Sequence, residues 1–498
     1  MANEIYSKIY SAPKLVFTEK IERNLKFYLR DKIENVHKLG EEVECTVSEE
    51  NLYEVLKELK GNPEFQLESL CNIALFESRG RNFLLIILSS HINNFSILVK
   101  VKLNGQISES RYNGIVNLAG EFYEASDFYK KRDDLKSRFS DIVIFSQNFD
   151  GLDGFDIYAL SADDLLNKIY IDRSISKFDT SSFYRNSDIL KLISYIGRFD
   201  YKAAIFPELC FCINFEKLLQ LKIPKRAQHI RMLVCELFRI SNHTGFIVNM
   251  SWILGCSAAY NLALIEKERI LRLIEHVTDS RIFPNFIRIG GVVKDIEEGE
   301  ISNIKKDMEI LSKNIKVIEG MILGSSQTVE KLKNKGIIDK SAAVSFGLSG
   351  PNLRASGVRS DLRKERDILF YRDISFIVPL GKYGDCLDRV LIRFRELYQS
   401  IKIINQTINK MPMGVVRKMI NVSHIELPFS TMISSVECPH GVFKVYIEVE
   451  KNEVISLVVA GPSKNSLAVC EKILNKSKID DASLILASLD ISTGEIMG

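Results

Sequence analysis

Apolar residues follow two rhythms along the chain. Residues 83–103 (FLLIILSSHINNFSILVKVKL) hold two β-rich runs around a polar centre from Ser89 to Asn94, which predicts a hairpin on a packed sheet. Ahead of it, Glu49 to Lys60 places Leu52, Val55, Leu56 and Leu59 at helical spacing. This first part reads as α+β. Between Asp141 and Thr180 the periodicity weakens and glycine and aspartate cluster in FDGLDGFD (149–156), which predicts a domain edge near residue 155. The expected organisation is a small α+β domain over 1–154 and a mainly helical domain over 155–498, α+β in class overall.

In the second part the period lengthens. From Lys225 to Ser241, Ala227, Ile230, Leu233, Val234, Leu237 and Phe238 form one stripe, with Arg231, Glu236 and Arg239 elsewhere on the helix. Leu262 to Val277, Ile301 to Met321 and Asp385 to Ile408 continue the pattern, and four such helices imply a bundle. Thr244 to Ile265 carries no charge and, at roughly 22 residues, has the length of a bilayer span. Its Asn249, Ser251, Ser257 and Asn261, and the charged Glu266-Lys267-Glu268-Arg269 that follows, favour a buried bundle helix in a soluble chain. Val442 to Ala460 alternates around Lys451-Asn452 and predicts a second hairpin, followed by a helix near Ser466 to Asn475.

Composition narrows the choice of chemistry. The chain has 498 residues, 46% hydrophobic and 26% charged, with a formal net charge of +3, values that exclude disorder and a nucleic-acid binder relying on a strong positive field. Nine scattered cysteines and a charged start (Glu4, Lys8) fit reduced thiols with no export signal. Cys210-x-Cys212 is the closest cysteine pair, but on a helix its members point about 200° apart, which suits a core better than a metal site. None of the seven histidines forms an HxxxH or HExxH unit, and no Walker or GxGxxG loop is present, so neither a metal nor NADH or ATP is expected on this chain.

The most specific string is GLSGPNLRASG (347–357), followed by Asp361-Leu362-Arg363-Lys364. Its glycines and proline predict a tight loop that presents the rigid guanidinium of Arg354. With KIPKRAQHIRMLVCELFRISNH (222–243), FIRIGGV (286–292), GDCLDR (384–389), ECPHG (437–441) and ASLDISTGE (487–495), it occurs in the order and rough spacing found in the D subunit of respiratory complex I, NADH:quinone oxidoreductase. From about residue 190 the chain resembles that hydrogenase-derived subunit. Leu67 to Ile73 and the 83–103 hairpin resemble the C subunit, which some bacteria fuse to D, although Glu121 to Asp127 lacks that subunit's tryptophan.

The resemblance implies a site. Within GRFDY (197–201), Tyr201 falls on the tyrosine that hydrogen-bonds the quinone headgroup, and Arg198 on the arginine near the terminal iron-sulfur cluster, which a partner subunit holds. A phenol donates to a quinone oxygen, and a permanent cation favours the reduced cluster. NADH and the cluster are expected on partners, quinone as substrate, and membrane-arm subunits as neighbours at the cytoplasmic face of the plasma membrane. The chain also departs from the pattern. No histidine occurs between Asp156 and Ser176, where the family has its histidine loop; Ile253 stands at an acidic position, and Phe283 at the histidine near the cluster. None of these replacements moves a proton. The hydrogenases' two CxxC pairs are absent as well. A second reading is therefore a divergent paralogue serving as an assembly or coupling scaffold on an antiporter-like membrane complex.

Overall fold

The computed structural model describes residues 18–91, 95–105, 108–123, 142–146, 156–162, 164–172, 184, 187–420 and 427–497. The chain opens on helix α1 (Thr18–Tyr28) and a five-stranded sheet: β1 (Asn35–Leu39), β2 (Glu42–Ser48), β3 (Ser69–Ser78), β4 (Arg81–Ser90) and β5 (Phe95–Lys102). Their order is β1-β2-β5-β4-β3, antiparallel except for the parallel pair β2/β5. The predicted hairpin is β4–β5, with Leu88 opposite Ile97. Because both faces of β4 are covered, it reads as a continuous apolar run. The predicted helix is α2 (Leu52–Gly61), which buries Leu52, Val55, Leu56 and Leu59.

The weakly periodic region is a sheet. Strands β6 (Ile142–Ser146), β7 (Asp156–Ala162) and β8 (Leu165–Asp172) form an antiparallel meander, and β8 is tied to the C-terminal part by Leu166 N donating to Ser477 O at 2.9 Å. The segment in which a histidine loop was expected is therefore largely the β7–β8 hairpin, and the edge predicted near residue 155 lies outside the described residues.

Five helices carry the second half: α3 (Ile205–Leu218), α4 (Lys225–Ile253), α5 (Ser257–Thr278), α6 (Glu298–Leu323) and α7 (Cys386–Lys410). The reading of Thr244 to Ile265 as one buried helix is corrected. It is the end of α4 and the start of α5, broken at Gly255, whose φ of +74° a helix does not accommodate. Trp252 at this corner, and Leu264 and Ile265 two turns into α5, are exposed. Among the described residues no helix is long and apolar enough to cross a membrane.

Helix α4 departs from its one-stripe pattern too. Arg231, Glu236 and Arg239 are as buried as the stripe, so the middle of α4, from His229 to Thr244, is enclosed on all sides. It tolerates this because each charge is paired: Arg231 with Glu216 at 2.5 Å, and Arg239 with Glu236 at 3.2 Å.

The C-terminal sheet adds β9 (Ser187–Asp188) to β10 (Leu427–Glu437), β11 (Val442–Lys451) and β12 (Glu453–Ala460), all antiparallel in the order β10-β11-β12-β9. One face packs on the N-terminal sheet. Phe76, Phe83, Leu85, Ile87 and Leu98 meet Ile433, Tyr446, Val458 and Ala460 in a shared core. Polar groups are buried there as well. Tyr446 Oη lies 2.8 Å from Glu44 and 2.7 Å from Glu448, and Lys100 pairs with Glu448. A phenol has one proton for two carboxylates, and burial raises the Glu44 pKa despite Lys100 nearby.

Candidate functional site

The GRFDY motif folds as a 3-10 turn (Ile196–Asp200) closed by Tyr201, immediately before α3. Tight packing fixes its course. A Cβ on Gly197 would lie 3.2 Å from Ala204 O, and one on Gly494, from the C-terminal ASLDISTGE motif, 2.9 Å from Phe199 O. Phe199 is buried and its ring meets Tyr184 at 5.3 Å, while Arg198 points to solvent. The Arg198 guanidinium sits over the Phe283 ring, 5.2 Å from its centroid, and 5.6 Å from that of Tyr195. Thus the fold brings together Arg198 and Phe283, two positions singled out in the sequence. Tyr201 is half-buried, and Ile253 lies at the end of α4, partly buried against the core.

Glu208 on α3 holds in place the backbone of Asn285 to Ile287, just after Phe283. Its two oxygens accept the backbone N–H groups of Asn285, Phe286 and Ile287 at 2.8, 3.0 and 3.2 Å. Burial pushes its carboxyl up to about 7, against the pull of those three donors. Cys210 and Cys212 follow on the same helix and are core residues, Cys210 Sγ donating to Ser434 O at 3.2 Å.

Beneath the turn, three motifs separated in sequence converge. ECPHG is the tight connection between β10 and β11, with Cys438 N donating to Gly441 O at 2.7 Å. It delivers His440 to a buried cluster of carboxylates. His440 Nδ1 is 3.1 Å from Glu495 and 3.5 Å from Asp200, and Nε2 is 3.6 Å from Asp490. Burial opposes charging of the imidazole, but Glu495, Asp200 and Asp490 outweigh it and keep the ring protonated well above its usual range. Asp490 is held below the ordinary carboxylate range despite burial, by Lys202 at 3.1 Å and by His440. Ser492 Oγ donates to Asp200 Oδ1 at 3.0 Å. Asp200, the residue beside Tyr201, is thereby anchored to the C-terminal segment.

The 347–357 string is corrected from a loop to a buried helical turn, Gly350–Ala355, with Pro351 in its first turn. Gly350 has φ +62°, and a Cβ there would stand 2.4 Å from Gly441 Cα, so this turn and ECPHG touch backbone to backbone. Arg354 is fully buried between Glu396 (2.8 Å) and Glu437 (2.7 Å), and Glu396 also meets His243 Nε2 at 2.9 Å. Glu396 lies far below its usual pKa because Arg354 and His243 outweigh its desolvation. GDCLDR caps α7: Asp385 accepts from Asp388 N at 2.9 Å, and Asp388 accepts from Lys382, Tyr383 and Gly384.

Glu208, Asp200, His440 and Glu495 escaped prediction as site residues. Their motifs are visible in the sequence, but nothing in one dimension pairs position 200 with 440 and 495.

A buried ion-paired bundle closed by an antiparallel sheet matches a solved chain of the membrane-bound sulfane sulfur reductase, an archaeal respiratory membrane complex. The TM-score is 0.69 and the identity 26%, over 73% of this chain and 99% of that one. Fold and site thus define a component of the respiratory membrane-complex class. Residues 254–497 match the family model of the respiratory-chain NADH dehydrogenase 49 kDa subunit. The NADH-quinone oxidoreductase D subunit of Rickettsia rickettsii (strain Sheila Smith) is 34% identical over 342 residues, covering 64% of this chain and 88% of the relative. The Rickettsia felis (strain ATCC VR-1525 / URRWXCal2) counterpart is 33% identical over the same shares. The chain belongs to this 49 kDa, or D-type, family.

Proposed function

We propose that the chain forms one wall of a quinone-reduction chamber in the peripheral arm of an NADH:quinone oxidoreductase, with Tyr201 at the headgroup and Arg198 beside a cluster held by a partner subunit. The carrying observation is that one 3-10 turn holds both side chains, clamped from below by α3, ECPHG and the C-terminal motif. Tyr201 donates a hydrogen bond to the quinone oxygen and orients the ring, while Arg198 supplies a fixed positive charge toward the electron donor. Residues 1–154 act as a fused C-type counterpart and 155–498 as the D part. The assembly sits peripherally at the cytoplasmic face of the membrane, with NADH on another chain.

The scaffold reading draws support from one contact. Arg198 stacks on Phe283, which has no proton to exchange where the family has histidine. The test is NADH:quinone reduction by the purified complex with Tyr201→Phe. A fall in turnover or a rise in quinone KM supports the chamber. A wild-type complex that reduces quinone and a variant unchanged in both constants refutes the role of Tyr201, and an intact complex without quinone reductase activity favours the scaffold.

A further inference from the structure

The geometry points to a buried divalent-metal site of the zinc type, with Asp200, Cys438, His440 and Glu495 as its ligands. One donor atom from each side chain falls within 4.8 Å of all the others. The measured pairs are His440 Nδ1 to Glu495 Oε1 at 3.1 Å, His440 Nδ1 to Asp200 Oδ2 at 3.5 Å, and Cys438 Sγ to Glu495 Oε1 at 3.6 Å. Tetrahedral zinc with ordinary Zn–N, Zn–O and Zn–S bonds separates its ligand atoms by about 3.3–3.8 Å. These three pairs therefore need only a few tenths of an ångström of adjustment, and every other pair lies within 4.8 Å.

The outer polar atoms of Asp200, Glu495 and His440 are already engaged, which leaves their inner atoms facing one another and the Cys438 sulfur. Asp200 Oδ1 accepts from Ser492, whereas its Oδ2, fully buried, accepts no hydrogen bond among the described residues. Glu495 Oε2 accepts from Ser463 N at 3.0 Å, so Oε1 turns inward. The far nitrogen of His440, Nε2, lies 2.9 Å from the Asn242 amide and 3.6 Å from Asp490 Oδ2. The Asn242 Oδ1 and Asp490 Oδ2 atoms also lack hydrogen-bond partners among the described residues. With the Asn242 amide turned so that its oxygen faces the ring, Nε2–H has its acceptor and Nδ1 presents a lone pair to the metal. Such an outer partner normally fixes the tautomer of a ligating histidine.

One sulfur, one imidazole and two carboxylates form a borderline-soft set that selects zinc over magnesium or calcium, and four protein ligands leave no open position. The site is therefore structural. It ties the turn before Tyr201, the β10–β11 connection and the C-terminal helix Thr493–Met497, three segments that are far apart in sequence. Binding displaces the thiol proton of Cys438 and the ring proton at Nδ1, and two carboxylates with one thiolate neutralise the ion and leave one net negative charge at the site. This inference stands on the cluster alone and does not require that the chain act on quinone.

The test uses the full chain, refolded under reducing, anaerobic conditions with zinc and separately with cobalt(II). About one zinc per chain is expected to survive dialysis, and the cobalt form is expected to show a thiolate-to-metal charge-transfer band in the near ultraviolet. Cys438→Ser should abolish the band, and His440→Gln should cut retained zinc roughly tenfold. Cys71→Ser, remote from the cluster, should change neither. Circular dichroism checks folding, and if His440→Gln does not fold, the Cys438→Ser spectrum decides. A folded wild-type chain that retains no zinc, or zinc and cobalt signals that persist unchanged in Cys438→Ser, overturns the site.

Discussion

Glu208 ties the turn bearing Arg198 and Tyr201 to the strand behind Phe283, and its titration gives a test of that coupling. Its carboxyl is pushed up to about 7 from the ordinary 4.5, chiefly by burial. A group raised in the folded state binds a proton there that the unfolded chain has already lost. Its stabilisation is complete below pH 4.5 and disappears as pH rises through about 7. The gap between those two values corresponds to about 3 kcal/mol. At low pH the folded wild-type carboxyl is protonated and, like the amide of Glu208→Gln, has one full acceptor oxygen for the three backbone N–H groups. Denaturant unfolding of both chains between pH 5 and 8 should therefore show them similarly stable at pH 5. Wild type should lose about 2–3 kcal/mol relative to the variant by pH 8. A difference that is the same across the range would refute the burial argument and leave Glu208 as an ordinary ionised acceptor.

Arg354→Met removes the fork between Glu396 and Glu437 and leaves two buried carboxylates facing each other. A loss of about 3–5 kcal/mol is expected in denaturant unfolding, and a loss below about 1 kcal/mol would contradict the pairing. Gly350→Ala should cost about 2 kcal/mol or more, from positive φ and the approach of Gly441. Gly299→Ala, in α6 with open space at its Cβ, should instead stabilise by about 0.5–1 kcal/mol. Thermal melts of the two alanine variants give the comparison, and equal shifts would show that the backbone contact at Gly350 is not limiting.

Local order in the amino-acid sequence determined much of this protein. Period-3.6 stripes marked α5, α6 and α7 because each of those helices has one face in water. The two hairpins were legible from alternating or continuous β-branched runs bounded by polar turns. Family membership was also legible, since motif order survives where single residues drift. Only the tertiary structure decided the rest. Along the β6–β8 meander the periodicity is weak, and β8 is held by pairing with β7 and by residues 476–479. Arg231 and Arg239 stand off the apolar stripe and Arg354 in a glycine-rich string, and their burial was not legible because a sequence does not display the carboxylate that meets each of them in the core. The meeting of Asp200, His440 and Glu495 depends on chain closure over hundreds of residues, where backbone contacts at Gly350 and Gly494 set the distances. Periodicity reports which side of an element is buried; it carries no information about which distant partner does the burying.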